Sequence, residues 1–285
     1  MGNSRYSLFI GAMLLAVCSA EVGVWNGTEN AEDWVKSFPE CGGKEQSPIE
    51  ILSGAAKIWT PTEQKKNKFE MKFDNYDKSG TVKPYLTGYL PNITFEFPST
   101  SEAPRITLTQ RGETVEYFLT NIHFHWPGEH TFDGQSFDFE THVVHRNLEK
   151  NRVIALAYLI NICRDSSEEE IVMYDQISAA QKNEKSGSSY SYSGGPTLFV
   201  PRNYECGYYK YDGSFTTPPC TEGVTWFVYR KPLCVAQDVI DAFKKMKNKD
   251  GQLVQSNNRP IQESNREVVY LSCNEDAYND EDDEK

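Results

Sequence analysis

All five histidines of the chain fall between positions 123 and 145: His123, His125, His130, His142 and His145. Imidazole is the commonest metal ligand and the side chain that titrates closest to neutrality, so such clustering points to metal or proton chemistry. His123 and His125 stand two apart, which puts both on one face of a strand. Glu140-Thr141-His142 lies on a second strand-like run, and a turn around Asp133-Gly134-Gln135 would bring that run back beside the first. Three imidazoles could then converge on one ion. Three histidines with an open fourth position is the arrangement of catalytic zinc, whereas structural zinc takes four protein ligands. Glu140 precedes His142 by two residues and Asn121 precedes His123 by two, so each can accept the ring proton that a metal leaves unused. Glu129 and His130, just after the His-x-His pair, are candidates for the next hydrogen-bonded layer. The order His123-x-His125-x-x-x-Glu129 also opens a cupin metal site. That site needs a later Pro-x-Gly-x-x-His-x-x-x-Asn segment, and none occurs.

The elements that must position these residues read as strands. Tyr117–His125, Ser136–His145, Val153–Ile162 and Val224–Tyr229 show period-2 alternation or enrichment in β-branched and aromatic residues. Two helices are expected. One starts at Ser166-Ser167 ahead of Glu168, Glu169 and Glu170 and runs towards Lys182. The other covers Val235 to Met246, with Val235, Val239, Phe243 and Met246 on one face. Strands dominate and do not alternate with helices, so a mainly β fold with a largely antiparallel sheet and peripheral helices is expected. No repeat or long linker divides residues 21 to 274, which read as one domain.

The 285 residues suffice for one large domain. Arg5, the apolar run Leu8 to Val17 and the small residues Cys18-Ser19-Ala20 read as a signal peptide over residues 1–20, making the protein secreted. That run is too short to span a bilayer, and no later segment is long enough for a transmembrane helix. Removing Cys18 leaves Cys41, Cys163, Cys206, Cys220, Cys234 and Cys273. An even number in an exported chain suggests disulfides, and their wide scatter speaks against a zinc ribbon. Sequons stand at Asn26-Gly27-Thr28 and Asn92-Ile93-Thr94. The formal charge of −12 argues against nucleic acid and anionic membrane as partners. About half of it sits in the tail 275–285, which reads as a solvated, disordered end. Calcium or mineral contact through that tail is the sharper alternative.

Longer motifs are more specific. Gln46-Ser47-Pro48-Ile49, His123-Phe124-His125-Trp126, Glu129-His130-Thr131 and Glu140-Thr141-His142-Val143-Val144-His145 come first. Gly213-Ser214-Phe215-Thr216-Thr217-Pro218-Pro219, Trp226 and Asn257-Asn258-Arg259-Pro260 follow. From about Trp34 to Cys273 the chain resembles the alpha-carbonic anhydrases. The resemblance implies a large twisted sheet with zinc at the bottom of a conical cleft, held by His123, His125 and His142. It implies reversible hydration of carbon dioxide to bicarbonate. It places Thr216 between the nucleophile and Glu129, Thr217 beside the substrate, and His130, Ser47 and Asn257 in the outer network. Val144, Ala155, Phe215, Val224 and Trp226 would line the carbon dioxide pocket. Cys41 would pair with Cys220, while the remaining four cysteines admit three connectivities. Where many members carry a proton-exporting histidine, the alignment puts Tyr89, which implies slow proton export. Asn92 lies three residues beyond and is expected to stay unglycosylated, whereas Asn26, near the mature N-terminus, is expected to carry a glycan. A non-enzymatic binding or mineral-matrix protein on the same fold is the competing reading. Such relatives typically lose zinc ligands, and this chain keeps all three together with Thr216, Glu129 and Glu140.

Overall fold

The computed structural model describes residues 31–87, 90–163, 192–198, 200, 205–245 and 253–274. Seven strands position the site: β1 (Gly80–Thr87), β2 (Leu90–Glu96), β3 (Glu113–His125), β4 (Phe139–Asn147), β5 (Arg152–Ile162), β6 (Tyr208–Ser214) and β7 (Glu222–Tyr229). Within one large sheet they lie in the order β1-β2-β3-β4-β5-β7-β6. Neighbours are antiparallel except β5 and β7, which run parallel. The sheet is therefore mixed but mostly antiparallel, and helices are few.

All four expected strands form, with shifted ends. β3 starts earlier, at Glu113, and β4 starts later, at Phe139, running on to Asn147. The late start has a local cause. Asp133 and Gly134 both take positive φ (47° and 79°) in a tight turn closed by a Phe132–Gln135 bridge, and Gly128 N–H bonds the Phe137 carbonyl. Residues before Phe139 are thus spent on reversing the chain.

β4 and β5 are buried on both faces over most of their length. Phe139 and Val143 of β4 join Ile154, Leu156, Tyr158 and Ile160 of β5 in the larger core, which also takes Ile240 and Phe243. Val144 faces the other way, with Ala155, Ala157, Val224 and Trp226. Each fully buried aliphatic or Phe side chain contributes about 1.5–3 kcal/mol, so the histidine-bearing β4 is anchored by a strongly stabilising core.

The second expected helix is shorter than the sequence suggests. It spans Gln237–Lys244, and Val235 instead ends a strand, Leu233–Val235, whose Val235 pairs with Ile162 of β5. Pairing with β5 and the Cys163–Cys234 bridge hold that segment in the sheet. Met246, the expected helix at Ser166 to Lys182, Tyr89, Asn26, the N-terminal signal and the acidic tail lie outside the described residues.

Three disulfides form: Cys41–Cys220, Cys163–Cys234 and Cys206–Cys273. The first is the pair expected by resemblance, and the other two settle the open connectivity. Cys41–Cys220 closes 179 residues, for which chain entropy alone would give about 5 kcal/mol. No helix of the described residues is long and apolar enough to cross a membrane.

Candidate active site

The β3–β4 register sets His123 opposite His142 and His125 opposite Glu140. Alternation then places the three imidazoles on one face, with ring centroids 4.6–5.2 Å apart. Each ring has one nitrogen committed to a protein acceptor. His123 Nδ1 meets Asn121 Oδ1 at 2.8 Å, His125 Nδ1 meets the Asn257 carbonyl at 3.1 Å, and His142 Nε2 meets Glu140 Oε1 at 2.7 Å. These acceptors fix the tautomers. They leave His123 Nε2, His125 Nε2 and His142 Nδ1 facing one another.

Burial holds all three pKa values below 6.5, that of His125 at about 3; repulsion from the neighbouring rings adds to it at His123 and His125, while Glu140 opposes it at His142. The rings are therefore neutral, the form that binds metal. Buried His125 Nε2 has no hydrogen-bond partner at all. His142 Nδ1 and His123 Nε2 stand 3.2 Å apart, close to the ~3.3 Å edge of a tetrahedron with metal–nitrogen bonds of about 2.05 Å. The trio thus fits a tetrahedral metal with a fourth position open. A second group, His130, Glu140 and His142, is equally compact. Its ligand atoms already bond one another, at 2.6 and 2.7 Å, so it fits a metal poorly.

Glu140 is saturated. Its Oε2 accepts the backbone N–H groups of Glu129 (2.6 Å) and His130 (2.8 Å), and its Oε1 accepts His130 Nδ1 and His142 Nε2. Burial pushes its pKa up, but His130 and these donors outweigh that and hold the carboxyl well below the usual range. Glu129 goes the opposite way. Burial, then the neighbouring Glu140 charge, raises its carboxyl well above the usual range. Its Oε1 accepts the Arg259 backbone N–H at 2.8 Å, while Oε2 has no well-formed partner. The Thr216 hydroxyl is near enough to lower the Glu129 pKa, in a contact too loose to count as a regular bond. Two adjacent carboxyls with pKa values pushed apart is the pattern of an anchored acceptor beside a group free to take part in proton traffic.

Ser47 and Ser214 exchange N–H···Oγ bonds of 3.0 and 3.1 Å, and the Tyr211 hydroxyl bridges Ser47 Oγ to His130 Nε2. Asn257 clasps the end of β3, donating to the Phe124 carbonyl and accepting from Trp126 N–H. Ala155 pairs with Val144 on one side and Trp226 on the other, while Val153 pairs with Val224, so the apolar candidates form a continuous row. Phe215 packs against it, with Thr217 half-buried beyond. The Trp226 ring stands 4.7 Å from that of His142.

His145 does not belong to these layers. It lies an odd step from His142 and so points through the other face, where Nε2 meets the Tyr76 hydroxyl at 2.5 Å. Two residues went unassigned in the sequence. Tyr211 shares a strand face with Gly213, which is the one sign it gave. Arg259 stood inside a recognised motif without a role.

A sheet presenting three convergent histidines, each with one ring nitrogen held by a protein acceptor, over an apolar row makes a candidate mononuclear metal site. The family is not in doubt: the eukaryotic-type carbonic anhydrase model matches residues 29–273, and the chain belongs to that family. It is 29 % identical to carbonic anhydrase 6 of Mus musculus over 83 % of this chain and 76 % of that one. It is 28 % identical to human carbonic anhydrase 12, covering 94 % and 81 %. It is also 29 % identical to dioscorin DB3S of Dioscorea polystachya, covering 93 % of both chains.

Proposed function

We propose that this chain is a secreted, zinc-dependent carbonic anhydrase catalysing CO2 + H2O ⇌ HCO3⁻ + H⁺. The observation that carries the reading is buried, unpartnered His125 Nε2 facing two other neutral imidazole nitrogens. Zinc suits that donor set, and every cysteine among the described residues is tied up in a disulfide. When bound, zinc brings the pKa of a water in its open position to about 7, the general value for carbonic anhydrases, and so supplies a nucleophile at neutral pH.

The chain's own residues do the rest. Asn121, Asn257 and Glu140 hold the rings. An ionised Glu129 can only accept, so the Thr216 proton points to it and the Thr216 lone pairs are left to orient the attacking water oxygen. The Arg259 backbone N–H, the Thr216 hydroxyl and the Arg259 charge oppose the burial that raises Glu129, and the charge of a bound zinc would act in the same direction. Val144, Ala155, Val224 and Trp226 give uncharged carbon dioxide an apolar seat. Bicarbonate, being ionic, is poorly held there and leaves. The released proton must still exit. No histidine among the described residues is left for that, since each faces the metal position or is buried. The resemblance leaves Tyr89 at that exit, and a tyrosine, with an ordinary pKa of about 10, is basic in roughly one molecule per thousand at pH 7, so proton export is expected to limit turnover.

Secretion agrees with three disulfides, which persist in oxidising compartments. The test is zinc content together with stopped-flow carbon dioxide hydration on wild type and His142→Ala. The variant is expected to lose both stoichiometric zinc and turnover. Full hydration by a folded, zinc-free variant would refute the assignment.

A further inference from the structure

Arg259 is an unusual side chain to find in this interior. It is 3 % exposed, yet none of its guanidinium hydrogen bonds goes to a carboxylate. Nη1 donates to Gln46 Oε1 (2.9 Å) and the Ser47 carbonyl (2.8 Å), Nη2 donates to the Cys41 carbonyl (2.9 Å), and the group lies 5.5 Å from the Trp34 ring centroid. A planar fork can reach three acceptors and stack at once; a lysine ammonium cannot. Burial lowers its pKa to about 10, which leaves it charged at neutral pH. A buried cation without a paired carboxylate is costly, so its retention calls for a reason.

The reason lies in what the side chain holds still. From 254 to 268 the backbone forms neither helix nor strand, so scattered bonds fix it: Asn257 and Gln262 donate N–H to the Trp126 and Pro48 carbonyls, and the side chains of Asn257 and Arg259 add the rest. From that anchored backbone the Arg259 N–H donates to Glu129 Oε1. Thr216 is referenced to the same seat. Ser214 is bonded reciprocally to Ser47, Gln46 Nε2 donates to the Cys220 carbonyl at 3.2 Å, and Cys220 is bridged to Cys41. Both Glu129 and Thr216 are thus located from residues 41–47, one through Arg259 and the other through the disulfide and Ser214.

We propose that Arg259 is a positioning residue: acting through residues 41–47, which the Cys41–Cys220 bridge also ties down, it sets Glu129 against Thr216. This rests on the hydration reading, which the wild type tests separately: if wild-type, zinc-loaded protein does not hydrate carbon dioxide, that reading fails by itself.

The experiment compares zinc-loaded Arg259→Lys, the double variant Cys41→Ser/Cys220→Ser, and Leu156→Ala, a back-core change away from the site. Arg259→Lys is expected to keep stoichiometric zinc while kcat/KM falls by about tenfold or more, the scale of outer-layer losses, with an altered pH profile. Hydrogen–deuterium exchange of the metal-free proteins supplies a readout independent of activity. Amides of residues 214–217 should exchange faster in Arg259→Lys while β4 and β5 stay protected. The double cysteine variant should shift both readouts in the same direction by less. Leu156→Ala should lower Tm and move neither. The inference is overturned if Arg259→Lys loses activity only as far as Leu156→Ala does at equal loss of Tm, or if exchange at 214–217 is unchanged. Should Arg259→Lys not fold, the cysteine variant decides: unchanged kcat/KM and exchange there overturn it.

Discussion

Replacing His145 by glutamine should make the protein less sensitive to acid. His145 is fully buried on the back of the sheet, with Nε2 on the Tyr76 hydroxyl and Nδ1 without a regular partner. Burial lowers its pKa from 6.5 to about 3, opposed only weakly by the Val143 carbonyl. Between those values the unfolded chain takes up a proton that the folded chain refuses, so stability falls as pH falls. The contribution is intact above pH 6.5 and exhausted near pH 3. At 1.36 kcal/mol per unit, the whole gap is worth about 5 kcal/mol and the part lost by pH 5 about 2 kcal/mol. A glutamine in its place would keep an amide near the Tyr76 hydroxyl and remove the titration. The assay is urea unfolding of metal-free, disulfide-intact wild type and His145→Gln at pH 7.5 and pH 5. Absence of metal keeps zinc release out of the comparison, and the three site histidines cancel in the difference. The variant is expected to gain about 2 kcal/mol on the wild type between the two pH values. A stability gap that does not change with pH would show that burial does not hold His145 neutral.

Other perturbations follow from the same contacts. Glu140→Ala removes four acceptor contacts, so zinc affinity should fall about 10–100-fold, read by competition with a chromogenic chelator; unchanged affinity would remove Glu140 from that role. Gly213→Ala puts a Cβ 2.2 Å from Ser47 Oγ and 2.8 Å from the Tyr211 ring, and should cost about 1–3 kcal/mol by denaturant titration. Tyr89→His should raise kcat in dilute buffer and abolish most of the stimulation by imidazole-type buffers, with kcat/KM nearly unchanged; no effect would mean that protons leave by another path.

What could be read in the sequence was what depends on short steps along a strand. The placement of His123 with His125, of Glu140 with His142 and of Asn121 with His123 follows from a step of two. The same rule sends His145, three residues beyond His142, to the other face of the sheet despite its nearness in sequence. Contacts across long separations gave no local sign. Arg259 reaches Cys41 across more than two hundred residues, and Tyr211 reaches Ser47 across 164. Val235 looked helical because its spacing suits a helix, but pairing with β5 competes for that backbone and wins. Of the six cysteines only Cys41 and Cys220 could be paired beforehand, by resemblance; Cys163 and Cys234 meet only after two distant segments run parallel.

β4 gives its alternate residues to two different neighbourhoods, and this restricts how the gene can change. A residue inserted or deleted between Phe139 and Asn147 would exchange the two sets at a stroke. Val143 and His145 would turn to the cleft, and Glu140 and His142 would be pressed into hydrocarbon. Length variation there is closed to evolution, while substitution is not. Residues such as Val144 can be exchanged on the cleft side with the packing behind them undisturbed. The sheet works as a partition wall, behind which the fold keeps its strength while the chemistry in front is refitted.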